Sequence, residues 1–314
     1  MGGSGVSAAF STTFASRIVK WSIIPILFGT FVLLGALISG SRVNETLGSG
    51  IIDRTVFNLQ VTSIMLFSIG LSILFANLLR VPQSTSQSTV LSIIAIGTFH
   101  NHFVDTRIIF NIIASWFYLP VIAFLLSLMI GRFFYRPLLN KSYQPLKRAK
   151  DDSILKYTII IGALYVSYAI GANNVANAAA PIKSLASEYF LTGDTEFVSV
   201  LGILIIAPWF GIGGVFFGPK IIKTSTNDIV HFGKLGAMLI MIITGTLIII
   251  ASVTRGFPVA LAQINIGAIL GLAVYKNGFK NVFKNKIIYK ILTVWMLSPV
   301  IAFLLTYGML TLFN

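Results

Sequence analysis

The sequence predicts an all-α polytopic membrane protein, built as an inverted-topology repeat with broken helices and re-entrant hairpins. Three observations lead there. The 314 residues are 56% hydrophobic and only 10% charged, far from the balance of a soluble domain. The charges are segregated, leaving nine uncharged runs: Trp21–Ser41, Thr55–Leu79, Val81–Phe99, Ile108–Gly131, Tyr157–Ile182, Phe197–Pro219, Leu235–Thr254, Gly256–Tyr275 and Ile291–Asn314. A helix crossing a bilayer needs roughly 20 mainly apolar residues, and most of these runs have that length. Third, a small-residue motif near the N-terminus recurs in the second half of the chain.

The net charge of +14 is placed for topology, not for nucleic acid. Arg132, Arg136, Lys141, Lys147, Arg148 and Lys150 fill the link after the fourth run, and Lys276, Lys280, Lys284, Lys286 and Lys290 fill the last link. Short basic links face the cytoplasm, and the two are separated by an even number of runs. The expected location is the cell membrane, multi-pass. The absence of cysteine removes disulfides and thiolate metal sites.

In chain order, Met1-Gly2-Gly3-Ser4-Gly5 has two readings: an added flexible linker, or the first copy of a motif. Gly2 to Phe10 can be laid on Gly171-Ala172-Asn173-Asn174-Val175-Ala176-Asn177-Ala178-Ala179, small residue on small, with Val6 on Val175. Gly35, Gly40, Arg42, Val43 and Thr46 then match Gly213, Gly218, Lys220, Ile221 and Thr224 at one constant offset. Arg80-Val81-Pro82 with Gln87 echoes Gly256-Phe257-Pro258 with Gln263. Residues 1–131 and 157–314 therefore read as two copies of one unit, joined by a basic cytoplasmic linker, 132–156. Each copy has four runs after its motif, so a complete unit is odd in crossings and the copies point in opposite directions, a common build for secondary transporters. An upstream half-helix is expected before Gly2.

The second motif carries the chemistry. Asn173, Asn174 and Asn177 lie in the charge-free run Tyr157–Ile182, where amides are costly unless they bind something. The competing reading is interhelical packing with amides as glue. The small residues around them let backbones approach closely, and Pro181 starts or stops a helix.

Gly171-Ala172-Asn173-Asn174-Val175-Ala176-Asn177 resembles the duplicated signature of the inorganic phosphate transporter (PiT) family, usually Gly-(Ala/Ser)-Asn-Asp-Val-Ala-Asn. Gly40-Ser41-Arg42-Val43-Asn44-Glu45-Thr46 resembles the segment after its next helix, and Val81-Pro82-Gln83-Ser84-Thr85-Ser86-Gln87 its Pro-Val-Ser-Thr-Thr-His hairpin. The resemblance implies that signatures and hairpins meet at mid-membrane around a tetrahedral oxyanion, with Na+ or H+ as coupling ion and no other cofactor. It departs at the signature Asp, here Asn174 and Gly5, and at the hairpin His, here Gln87 and Gln263. The Gly-Ser-Gly form of the first motif resembles the sulfate-permease branch.

Chemistry agrees with that branch. Phosphate near neutral pH keeps a proton and gains from an anionic acceptor, whereas sulfate has none and suits donors alone. All nine acidic residues fall outside the uncharged runs. The expected site is Ser4, the backbone amides of Gly5 and Val6, Ser84, Thr85, Ser86, Gln87, Asn173, Asn174 and Asn177. Glu45 and Gln263 are candidates for coupling. His100-Asn101-His102 with Asp105 is too sparse for a metal site, and none is expected. His231 and Lys183 read as ordinary link and helix-end residues, and Asn44-Glu45-Thr46 as a sequon on a short loop. Expected partners are a small inorganic anion (sulfate or phosphate) and membrane lipid, with homo-oligomers left open. A phosphate symporter and an anion channel are the alternatives. An enzyme is not expected, for no nucleophile is paired with a base and no inward histidine–carboxylate cluster is present.

Overall fold

The computed structural model describes residues 1–15, 18–135, 149–189, 195–222 and 234–313. Most of the basic linker, and His231, lie outside these ranges. Among the described residues there is no strand, only a single antiparallel bridge between Ile52 and Val104. The helices are α1 (Gly2–Ala15), α2 (Ile24–Ser39), α3 (Ser41–Glu45), α4 (Leu59–Leu78), α5 (Thr85–Phe99), α6 (Thr106–Ile130), α7 (Ala149–Asn174), α8 (Ala176–Tyr189), α9 (Thr195–Ile222), α10 (Lys234–Ile250), α11 (Leu261–Asn277), α12 (Phe279–Phe283) and α13 (Lys286–Phe313).

Among the described residues, six helical stretches are long and apolar enough to cross a membrane, and α2 with the α3 segment adds a seventh if the bent pair counts as one. That pair turns by 74° at Gly40, where helix Ile24–Ser39 gives way to Ser41–Gly50. The runs Val81–Phe99 and Gly256–Tyr275 are not straight spans. Each opens with an extended segment and continues as a short helix, α5 or α11, buried along most of its length. Continuous apolar composition without charge cannot separate a lipid-facing span from a helix wrapped by protein on every side.

The glycine-rich N-terminus is not a loose linker. It forms α1, whose described side chains are almost all buried. Gly2 is pressed against α9, where an added Cβ would sit 2.0 Å from the Phe210 carbonyl oxygen. Gly171 meets α2 in the same manner, 2.0 Å from the Val32 carbonyl oxygen. The two motif copies thus make equivalent contacts, each with the helix that follows the other.

Exchange of this kind runs through the whole fold. α1 packs on α9 while α2 packs on α7, and α5 packs on α13 while α11 packs on α6. The segments leading into α5 and α11 also share backbone geometry. Gly256 takes a left-handed conformation (φ 65°) and so does Arg80 (φ 59°), in the position matched to it. Glycine adopts this freely, whereas a side chain costs about 1–2 kcal/mol there, so the turn at Arg80 is held by its surroundings.

Candidate functional site

The break predicted in the asparagine motif is one residue wide. Val175 separates α7 from α8, and its carbonyl accepts from both Ala178 N (3.2 Å) and Ala179 N (3.0 Å). Asn173, Asn174 and Asn177 cluster around this point and all are buried. None faces lipid.

Their amide N–H groups go to both re-entrant segments. Asn177 Nδ2 donates to Thr85 Oγ1 (2.8 Å) and Ser86 Oγ (3.2 Å), and Asn174 Nδ2 donates to Thr85 Oγ1 (3.2 Å). Asn173 Nδ2 donates to Ser252 Oγ and to the Phe257 carbonyl, both at 2.8 Å. Ser86 Oγ lies 3.5 Å from Asn173 Oδ1, to which it donates. Gln263 Nε2 donates to Gln87 Oε1 (3.2 Å), joining the first turns of α5 and α11. Ser4 Oγ accepts from Gln83 N (3.3 Å), tying α1 to the same hairpin. Ser84 caps α5, accepting from Gln87 N at 3.4 Å. Ser4, Ser84, Thr85, Ser86, Gln87, Gln263 and the three asparagines therefore lie in one buried region.

Polarity within that region differs from the sequence expectation. All three asparagine amide nitrogens donate to hydroxyls or a carbonyl, Asn174 Nδ2 to Thr85 Oγ1 alone. Three amide oxygens there are left without a partner: Asn174 Oδ1, Asn177 Oδ1 and, in the hairpin, Gln83 Oε1. Thr85 Oγ1 accepts two amide bonds, so its own O–H is directed elsewhere. The first turns of α5 and α11 add backbone N–H groups with the favourable field of a helix N-terminus.

Some expected residues are not brought in through the groups expected of them. Gly5 N donates to the Met1 carbonyl (3.2 Å) as part of α1, so it is not a free donor. Val6 is buried against α9, where a Cβ on Gly218 would lie 2.6 Å from its Cγ1. Both residues pack; neither presents a free group to the site. Glu45 is exposed on α3. Lys183 is half-buried on α8. Asn44 is buried and donates to Ser199 Oγ (3.0 Å), which removes the sequon from the surface. His100 follows α5; partial burial and the neighbouring His102 lower its pKa, and Asp105 is spent capping α6. No group of three metal-ligating side chains occurs among the described residues.

Two participants were missed from sequence. Ser252 is one of four hydroxyl residues in the run Leu235–Thr254, with no spacing signal to single it out. Gln83 sits inside the recognised hairpin. Its Nε2 donates to Ser88 Oγ (2.7 Å) and Ser72 Oγ (3.3 Å), and Ser72 donates to the Ser298 carbonyl. An amide between Pro82 and Ser84 was the available signal, since Val259 stands at the matched place in the second copy.

Residues 1–306 match the phosphate transporter family. The chain is 29% identical over 317 residues to sulfate permease CysP of Bacillus subtilis (strain 168), spanning 100% of this chain and 84% of that protein. It is 32% identical over 130 residues to sodium-dependent phosphate transporter 2 of Xenopus tropicalis; this covers 38% of this chain and 19% of that much longer relative. A solved structure, the sodium-dependent phosphate transporter, shares the fold with a TM-score of 0.80 at 20% identity, covering 100% of this chain and 96% of its own. A multi-pass membrane protein with this helix order and with the family's sequence pattern across nearly its full length belongs to the phosphate transporter family.

Proposed function

We propose that the protein is a secondary transporter of a tetrahedral inorganic oxyanion, that sulfate is its favoured substrate, and that it works by alternating access driven by Na+ or H+. Residues 1–131 and 157–314 are the two inverted repeats in this reading, with 132–156 as the link. One observation carries the substrate assignment. The buried network around Thr85 and the three asparagines contains hydroxyls, amides and helix N-termini but, among the described residues, no carboxylate: Glu45 and Asp53 are exposed and Asp105 caps α6. A fully ionised anion meets the Thr85 hydroxyl and the helix N-termini there, beside neutral amide oxygens, and no like charge. Omitting one buried polar partner can discriminate between substrates by about 10⁴-fold.

In the same reading Thr85 is the principal hydroxyl donor. The free oxygens of Asn174 and Asn177 suit a Na+ ion carried with the anion. No titratable side chain is hydrogen-bonded into the network among the described residues, so a coupled proton would have to arrive on another group or on the substrate. Phosphate is the second reading. The same two oxygens can accept from a P–OH group, and the family name and the Xenopus relative's name both refer to phosphate.

Labelled sulfate and phosphate uptake by purified protein in proteoliposomes tests this, with Na+ and pH gradients imposed separately. Saturable sulfate uptake that one gradient accelerates is expected. Saturable phosphate uptake that sulfate fails to inhibit would reverse the assignment. Conductance without saturation would make it a channel. Asn174→Asp is the companion test. The new carboxylate would draw the Thr85 O–H towards itself and repel a dianion, so sulfate uptake should fall at least about tenfold. Phosphate uptake should be retained or rise. An unchanged sulfate rate would remove Asn174 from the site.

A further inference from the structure

The extended segments before α5 and α11 lack helical partners for their carbonyls, and two of these are met by tryptophans. Trp295 Nε1 on α13 donates to the Pro82 carbonyl at 2.8 Å, and Trp116 Nε1 on α6 donates to the Pro258 carbonyl at 3.0 Å. The bonds are exchanged: each tryptophan lies on the last helix of one half and holds the re-entrant segment of the other. Both belong to the same sequence unit, Trp-x-x-x-Pro, with Pro120 following Trp116 and Pro299 following Trp295. Proline has no N–H, so in both helices the tryptophan's own carbonyl loses its usual partner. The indole is a donor only, and the proline carbonyl an acceptor only, so neither partner can be satisfied by reversing the bond.

Position gives the pair its role. Pro82 lies three residues before Thr85, which accepts from Asn174 and Asn177. Pro258 is next to Phe257, whose carbonyl accepts from Asn173. We infer that Trp116 and Trp295 are a reciprocal pair of positioning residues, each fixing through its indole N–H the segment that the opposite half contributes to the anion site. The latch stands on the two bonds, and its effect on transport rests on the function proposed above.

The test compares Trp116→Phe and Trp295→Phe, which keep an aromatic ring and remove the N–H. Amide hydrogen exchange is read over 81–87 and 256–263, and uptake kinetics are read for sulfate and for phosphate. Trp295→Phe should speed exchange in 81–87 and Trp116→Phe in 256–263, with the other segment unchanged. Each should raise KM for the transported anion by roughly 5- to 30-fold, the effect of one unmet buried carbonyl, with kcat altered by no more than about twofold. Benzothienylalanine at either position keeps the ring shape and lacks the N–H; it should reproduce both effects even where the smaller phenylalanine disturbs packing. Exchange that rises equally in both segments, or only in the mutated half, overturns the latch. The crossed exchange pattern with no change in KM for either anion leaves the latch standing and instead removes the anion site from these hairpins.

Discussion

Thr85→Val is expected to abolish anion uptake, lowering the rate more than about 100-fold, while Thr85→Ser keeps most of it. The side chains of threonine and valine are nearly equal in shape, so the change removes a hydroxyl and little else. That hydroxyl accepts from Asn174 Nδ2 and Asn177 Nδ2, two buried groups. Asn177 keeps Ser86 Oγ at 3.2 Å, but Asn174 Nδ2 has no other acceptor among the described residues. An unmet buried donor costs about 1–3 kcal/mol, and two weakened amides place the loss of stability at the upper end of that range. The transport loss exceeds this because the same oxygen carries the hydrogen proposed to face the anion. Uptake in proteoliposomes, read beside thermal unfolding of the purified protein, separates the two effects. Wild-type uptake by Thr85→Val would show that the network is structural and that the anion binds elsewhere.

Gly171→Ala is expected to prevent folding. α2 and α7 cross backbone against backbone at two points: a Cβ on Gly171 falls 2.0 Å from the Val32 carbonyl oxygen, and a Cβ on Gly35 falls 1.9 Å from the Tyr168 carbonyl oxygen. Neither obstacle is the end of a flexible side chain. Relief requires separating the helices, and overpacking of this kind costs about 3 kcal/mol or more. Gly171 also lies two residues before Asn173, so any helix shift displaces the asparagines. Size-exclusion chromatography of the purified variant in detergent should show aggregate or no recoverable protein. Gly308→Ala is the control: its Cβ would meet nothing within 4 Å, and it should behave as wild type. A monodisperse, active Gly171→Ala protein would show that this crossing tolerates a methyl group.

Much of the architecture was legible because lipid enforces simple rules. A span must be long and uncharged, and a polar group inside it stands out. Asn173, Asn174 and Asn177 were visible for that reason, and the offsets linking Arg80 to Gly256 and Gly2 to Gly171 survive as equivalent backbone geometry. Hydrogen-bond direction was not legible. An asparagine is donor and acceptor at once, and only the placement of Thr85, Ser86, Ser252 and the Phe257 carbonyl decides which end is left over. Burial of α5 and α11 was hidden too, because an apolar helix in protein and one in lipid have the same composition. Gly5 N is spent inside α1 and Val6 packs against α9, for residues of a motif serve packing as readily as ligand binding.

The exchanged packing has a consequence for how the molecule is made. α5 is complete once residue 99 has been synthesised, yet the helix it leans on, α13, does not begin until residue 286. At about 5–20 residues per second the ribosome needs on the order of ten to forty seconds to bridge that interval. Throughout it, Ser92 on α5 waits for its partners on α13, Thr306 and the Ala302 carbonyl, and must be sheltered by the insertion machinery. A ribosome that stalls before the last helix leaves no half-sized working unit behind, only a chain waiting for its other end.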